Sequence, residues 1–262
     1  MKTKNDRILN QRISILGCGW LGMPLAIELI NKGHIIKGST TSENRLSQLE
    51  SNEIQAFLID IGNKSLDLSD FLCSDVLIIA ITSKNIEDYK NLIAKIEQSE
   101  VRKVIFISST SVYPSTNGIV NEETPTINSP LAEIEQLFIS NSIFESAIIR
   151  FGGLFGGDRQ PGNFIKSGKL KNPEGYVNLI HREDCIRIIE QIILKNTWNE
   201  VLNACSDSHP MRKEFYLKEL KKLGKTNLIL DEHSDNTYKI VSSQKSKDVL
   251  NYEFKYDNLM DY

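Results

Sequence analysis

The chain has 262 residues, which at roughly 150 residues per domain suits one large domain with a small appended lobe. A hydrophobic share of 40% and a charged share of 25% are ordinary for a folded globular chain and exclude disordered, collagen-like and disulfide-scaffold classes. With 34 acidic against 31 basic residues the net charge is −3, so the excess of Lys and Arg that a nucleic-acid partner requires is missing and a small-molecule ligand is expected.

The opening stretch Met1 to Arg12 is polar and charged, without the apolar segment of a secretion signal, so a cytoplasmic protein is expected. Arg12 to Leu16 reads as a buried first strand. Leu21, Leu25, Ala26, Leu29 and Ile30 then recur at helical spacing, with Gly33 where a C-terminal cap belongs. His34 to Gly38 is the second predicted strand, Ile54 to Asp60 the third, Asp75 to Ile81 the fourth and Lys103 to Ser108 the fifth. Helices are predicted around Asn44 to Glu50, Ile86 to Glu97 and Leu131 to Ser140, and a sixth strand over Ala147 to Arg150. The apolar run Val76 to Ile81 is far short of the roughly 18 residues that cross a bilayer, so no membrane partner is expected. From Phe151 to Gly168 the texture becomes glycine-rich and loop-like. A strand (Tyr176 to Ile180), a helix (Asp184 to Leu194), a strand (Val201 to Ala204), a helix (Met211 to Leu223) and a strand near Asn227 to Leu230 follow. Cys18, Cys73, Cys185 and Cys205 are scattered, which reads as reduced thiols with no metal site.

Alternating strands and helices imply an α/β Rossmann fold: a doubly wound parallel sheet of about seven strands with a small C-terminal α/β lobe. The expected division is a dinucleotide-binding core over 1–155 and a substrate lobe over 156–262, with some elements returning to the core.

Gly17-Cys18-Gly19-Trp20-Leu21-Gly22 falls directly after a predicted strand and opens a helix. Gly17 permits the tight turn, Gly19 lets the backbone approach a pyrophosphate, and Gly22 lets the helix pack close to the sheet. Trp20 and Leu21 belong to the same mouth. An NAD site would place a carboxylate about 20 residues after the first glycine. Here the tip of the second strand reads Ser39-Thr40-Thr41 with Arg45 one turn into the following helix. Hydroxyls and a guanidinium suit a 2′-phosphate, so NADP is favoured over NAD.

The segment Ser108-Ser109-Thr110-Ser111-Val112-Tyr113, the loop Asn121-Glu122-Glu123-Thr124-Pro125, the strand and loop Arg150-Phe151-Gly152-Gly153-Leu154-Phe155-Gly156, and Ile180-His181-Arg182-Glu183-Asp184 resemble the extended NAD-dependent epimerase/dehydratase branch of the short-chain dehydrogenase/reductase superfamily. The resemblance runs over nearly the whole chain. It implies an adenine contact at Asp60 and further cofactor contacts at Ile61, Ala80, Ile81, Thr82 and Ser108. It also implies a site built from a Ser or Thr with a Tyr-x-x-x-Lys pair, in which the tyrosine is the acid/base and the lysine lowers its pKa. Ser109 matches the first position. The tyrosine position carries Ile127 and the lysine position Leu131, and no Tyr-x-x-x-Lys pair occurs anywhere in the chain. The resemblance is therefore to atypical members of the superfamily.

Tyr113, on the loop leaving the sheet's carboxyl edge, is the candidate for the missing proton, and ring packing is its alternative. Lys84 is a second candidate cation or a solvated loop lysine. His181 either lines the substrate cleft or bonds to the backbone at a strand-to-helix turn, and Asp184 fits an N-cap for a helix beginning at Cys185. The leading expectation is an NAD(P)-dependent oxidoreductase or epimerase acting on a small polar metabolite or nucleotide-linked sugar, with Ser109 and Tyr113 at the chemistry. The rival is a non-catalytic NADP-dependent sensor. As in many relatives, the helices near Asp88 to Glu97 and Leu131 to Ser140 offer a homodimer contact, although their exposed sides are not visibly apolar.

Overall fold

Short runs of β-branched and aliphatic residues make the strands, and amphipathic segments between them make the helices that cover the sheet. The computed structural model describes residues 10–165, 168–225, 227–231, 233–235 and 237–262. In chain order the first half contains β1 (Arg12–Leu16), α1 (Gly22–Asn31), β2 (Ile35–Thr40), α2 (Leu46–Glu50), β3 (Gln55–Leu58), α3 (Ser69–Leu72), β4 (Val76–Ile79), α4 (Ile86–Glu97), β5 (Lys103–Ser109), β6 (Gly118–Val120), α5 (Pro130–Ile139) and β7 (Glu145–Phe151). The second half contains β8 (Gly153–Phe155), β9 (Lys169–Lys171), β10 (Leu179–His181), α6 (Arg182–Lys195), β11 (Glu200–Ala204), α7 (Arg212–Lys222), β12 (Ile229–Asp231), β13 (Lys239–Val241) and α8 (Gln244–Leu250).

Seven strands form one sheet in the order β11-β7-β5-β4-β1-β2-β3, and β1 to β5 pair in parallel. The chain winds outward from β1 to β3 and returns to β4 on the other side of β1. A crevice thereby opens between the carboxyl ends of β1 and β4, the place where open α/β sheets bind ligands. The fold class is that expected from the alternating pattern.

Contacts divide the described residues into two compact units: those within 10–108, 128–149 and 189–201 in one, those within 109–127, 150–188 and 202–262 in the other. In the first, α4 and α5 pack on β5 through aromatic rings. Tyr89 lies edge-on to Phe106 at 5.7 Å, and Phe106 stacks on Phe138 at 4.8 Å between centroids. Both phenylalanines are fully buried, worth about 1.5–3 kcal/mol each in area removed from water. The second unit has its own core of Phe155, Leu170, Val177, Leu179, Phe215, Tyr216 and Leu259. Three small parallel pairs, β8 with β10, β9 with β12 and β6 with β13, belong to the same unit.

The sequence reading did not include α3, β6, β9, β13 and α8, and other details differ as well. The predicted strand Tyr176 to Ile180 is displaced to Leu179–His181, because Val177 N–H donates to Pro210 O and Tyr176 makes only an isolated bridge to Met211. The predicted loop 151–168 contains β8 and a 3₁₀ turn at Pro161–Phe164. The third strand stops at Leu58, two residues before Asp60, whose carboxylate instead accepts from Gly62 N–H.

Candidate functional site

The first unit carries the glycine turn. After β1 the chain reverses at Gly17, whose φ of +101° is open to glycine and strained for other residues. The tip of β2 holds the turn with two bonds: Gly17 N–H donates to Ser39 Oγ at 2.9 Å and Cys18 N–H to Ser39 O at 2.7 Å. A Cβ on Gly22 would stand 2.2 Å from Gly17 O, so helix α1 touches the turn directly. A Cβ on Gly17 would meet Ile81 Cγ2 at 2.7 Å and Ala80 O at 2.9 Å, which puts the residues following β4 at the mouth. By contrast, nothing lies within 4 Å of a Cβ built on Gly19. That face is open, as close approach by a ligand requires. Leu21 at the N-cap of α1 offers no side-chain acceptor; within the first turn Met23 N–H donates to Gly19 O at 3.1 Å and Pro24 has no N–H, which leaves the Gly22 amide to face a ligand. The open backbone at Gly19 and the Gly22 amide at the positive end of a ten-residue helix make a cradle that fits a diphosphate.

Arg45 lies in a 3₁₀ turn, Glu43–Arg45, and reaches back to the glycine turn, where its Nη2 donates to Cys18 O at 2.9 Å. The Cys18 thiol is buried beneath, against the backbone of Gly38, and burial pushes its pKa up to about 12. Of the three hydroxyls on the strand tip, Ser39 is buried and engaged by Gly17, and Thr40 is buried and accepts from Ser42 N–H at 3.2 Å. Thr41 is exposed. Asp60 and Thr82 are exposed, and Trp20, Ile61, Ala80 and Ile81 are partly exposed. Ser108 is buried and its hydroxyl donates to the buried carboxylate of Glu135. Lys84 is exposed. Leu131 is buried at the start of α5.

The second unit holds Ser109, Tyr113 and His181. Ser109 opens a 3₁₀ turn at Thr110–Val112, its Oγ accepting from Ser111 N–H at 3.1 Å. Tyr113, at the end of that turn, is 2% exposed. Its hydroxyl accepts from Arg150 Nη1 at 2.7 Å and donates to Asn203 Oδ1 at 2.8 Å, while the guanidinium lies 4.9 Å from the ring centroid. Burial raises the pKa of the phenol, and Arg150 only partly offsets it. Asn203 N–H in turn donates to Glu122 Oε1 at 2.7 Å. Sequence reasoning missed Asn203 and Glu122; the available signal was a polar residue in the middle of an otherwise apolar strand. Ile127 is 42% exposed.

His181 is enclosed. Its Nδ1 accepts from Glu183 N–H at 3.3 Å, its ring lies 3.7 Å from that of Tyr256, and Gly156 is so close that a Cβ there would meet Nε2 at 2.3 Å. Burial lowers its pKa. Asp184 does not cap α6. That helix begins at Arg182, and the buried carboxylate of Asp184 instead accepts from Lys255 N–H at 2.8 Å, Tyr256 N–H at 3.0 Å and the Tyr252 hydroxyl. Three donors from the C-terminal segment outweigh a cap because the helix already starts two residues earlier. Among the described residues no cluster of His, Cys, Asp and Glu is arranged to hold a metal ion, and no helix is long and apolar enough to cross a membrane.

No family model matches the chain. It is 28% identical to protein YeeZ of Escherichia coli K12 over 264 aligned residues, covering 94% of this chain and 96% of the relative. A conserved protein of unknown function from Silicibacter pomeroyi DSS has a similar structure, with a TM-score of 0.79 at 18% identity and 95% of each chain covered. UDP-glucuronic acid 4-epimerase from Bacillus cereus, solved in complex with NAD, superimposes with a TM-score of 0.75 at 19% identity over 95% of this chain and 94% of that one. The chain is similar to YeeZ over nearly its whole length, and it shares its fold with solved structures described as an NAD-dependent epimerase/dehydratase and as a short-chain dehydrogenase/reductase superfamily protein.

Proposed function

We propose that the glycine turn binds a nicotinamide dinucleotide, NADP in preference to NAD, and that the chain is an oxidoreductase or epimerase of the atypical extended class acting on a small polar metabolite or a nucleotide-linked sugar. The observation that carries this reading is the cradle at β1 and α1: a positive-φ Gly17, an open Gly19, a Gly22 in contact with Gly17 O, and a helix start with no side-chain cap. The epimerase neighbour solved with NAD supports the cofactor class. Support for NADP comes from Arg45, bonded to Cys18 O beside a strand tip that bears hydroxyls and no carboxylate.

When bound, the cofactor supplies hydride transfer. The chain's own residues bind and orient. Ser109 uses its oxygen to hold Ser111 N–H, which leaves its proton to donate to a substrate carbonyl. Tyr113, or a chain of water molecules, supplies the proton. Because the Tyr113 hydroxyl donates its proton to Asn203 Oδ1 and accepts from Arg150, neither of which passes a proton on, the water chain is the route this geometry favours and Tyr113 positions Arg150 and Asn203.

A second reading, a non-catalytic sensor, is favoured by one observation: no Tyr-x-x-x-Lys pair occurs in the chain, and apolar Ile127 and Leu131 stand where the resemblance would put it. Calorimetric titration with NADPH and NADH, followed by a panel of ketones and sugar nucleotides, separates the two. We expect NADPH to bind more tightly, and Arg45→Ala to weaken NADPH by about tenfold, roughly 1.4 kcal/mol, with a smaller effect on NADH. Turnover abolished by Ser109→Ala supports the enzyme; tight binding with no oxidation supports the sensor. Absence of heat with both coenzymes overturns the proposal.

A further inference from the structure

Lys239 is a cation held in the second unit without a counter-charge among the described residues. It starts β13, where Asn178 clasps the backbone on both sides: Asn178 Nδ2 donates to Lys239 O at 2.9 Å, and Val241 N–H donates to Asn178 Oδ1 at 2.8 Å. The side chain is partly buried, and its Nζ donates to Tyr113 O at 2.5 Å, at the end of the turn that Ser109 opens. That carbonyl is its one acceptor, and among the described residues no carboxylate pairs with it.

The nearest ionisable neighbours do not balance the charge. The Cys205 thiol is fully buried, and burial pushes its pKa up to about 12, so it is neutral at ordinary pH. The Tyr113 phenol is likewise raised and neutral. An ammonium carries three donors, and the bond to Tyr113 O uses one of them. Withdrawing such a group from water with no anion beside it is costly, and burial draws its pKa down accordingly. Surface lysines avoid this cost by extending into solvent. Lys239 is instead tied at both its backbone and its tip.

We propose that Lys239 binds an oxyanion of the substrate, a carboxylate or a phosphate group, beside the Ser109–Tyr113 turn. The inference rests on the reading that substrate approaches Ser109, and it assigns that substrate an anionic class. Its two other donors meet two oxygens of the anion, and the bond to Tyr113 O places the ammonium at the end of that turn.

The test uses the full-length protein saturated with NADPH and titrated calorimetrically with inorganic pyrophosphate and, separately, with malonate. Wild type, Lys239→Arg and Lys239→Met are compared. Wild type is expected to bind at least one probe. Lys239→Met is expected to lose that affinity by tenfold or more, and Lys239→Arg to retain most of it. Loss confined to pyrophosphate identifies a phosphate-bearing substrate, and loss confined to malonate a carboxylate. The proposal is overturned if wild type binds neither probe, or if Lys239→Met binds both as tightly as wild type. NADPH affinity, followed by its fluorescence, is expected to be equal in all three proteins. This readout separates a failed cofactor site from a failed anion site and reports misfolding of the methionine variant.

Discussion

The hydroxyl of Tyr113 holds two buried partners at once, and removing it strands both. In Tyr113→Phe the Arg150 Nη1 donor and the Asn203 Oδ1 acceptor lose this bond in an interior that water does not reach. A loss of roughly 1–3 kcal/mol is expected, read as a lower urea midpoint at unchanged slope. If the phenol also relays a proton, kcat falls in the same variant while NADPH affinity stays constant. None of this network was legible from the sequence, because its members lie 37 and 90 residues away from Tyr113 in the chain. The spacing of Gly17, Gly19 and Gly22 was legible, since the pattern itself lies within six residues. The role of Ser39 was legible only in part: its place at the strand tip follows from spacing, but its use as an acceptor for Gly17 N–H depends on how β1 and β2 register.

Helix α4 shows what a local signal delivers. Its span, Ile86 to Glu97, coincides with the predicted one, since apolar periodicity and a strong capping residue agree. Asn85 caps it with Oδ1 accepting from Glu87 N–H at 3.1 Å and Asp88 N–H at 3.4 Å, and both acidic residues sit favourably in the first turn. Asn85→Ala is expected to cost about 0.5–2 kcal/mol, seen as a lower midpoint in thermal unfolding followed by circular dichroism. The three-residue strands β6, β8, β9 and β13 gave no such signal. They are too short for a two-residue period to register, and each forms only because a distant partner pairs with it. The contact of Asn117 N–H with Tyr238 O, which leads into the β6 and β13 pair, closes a span of 121 residues.

At the scale of the whole molecule, three histidines give stability a pH dependence of known sign. His34, His181 and His209 all have pKa values lowered by burial, with Lys32 adding to the effect at His34. Above pH 7 they are neutral in both folded and unfolded chains and contribute nothing. As the pH falls through about 6.5 the unfolded chain takes up protons that the folded one resists, so stability declines until the lowered folded values are reached. Urea midpoints are expected to fall between pH 7.5 and 5.5, and His209→Gln to flatten part of that slope. The carboxylates of Asp75 and Glu183 act in a lower window. Burial works against them, but Arg12 and Lys255 hold their pKa values down, so their contribution persists until the solution approaches about pH 4. The alternating sheet was readable at this scale, since each strand and helix carries its own pattern. The drawing of the second unit from three separate segments was not, because that arrangement rests on tertiary pairing alone.

The thiol sealed between Gly38 and the glycine turn turns the protein into its own sensor of breathing at that turn. Cys73 is the one cysteine outside the buried class among the four, so an aromatic disulfide reagent labels it first. Modification of Cys18 requires the loop to lift off β2, and its half-life therefore clocks the opening of the mouth without any attached dye.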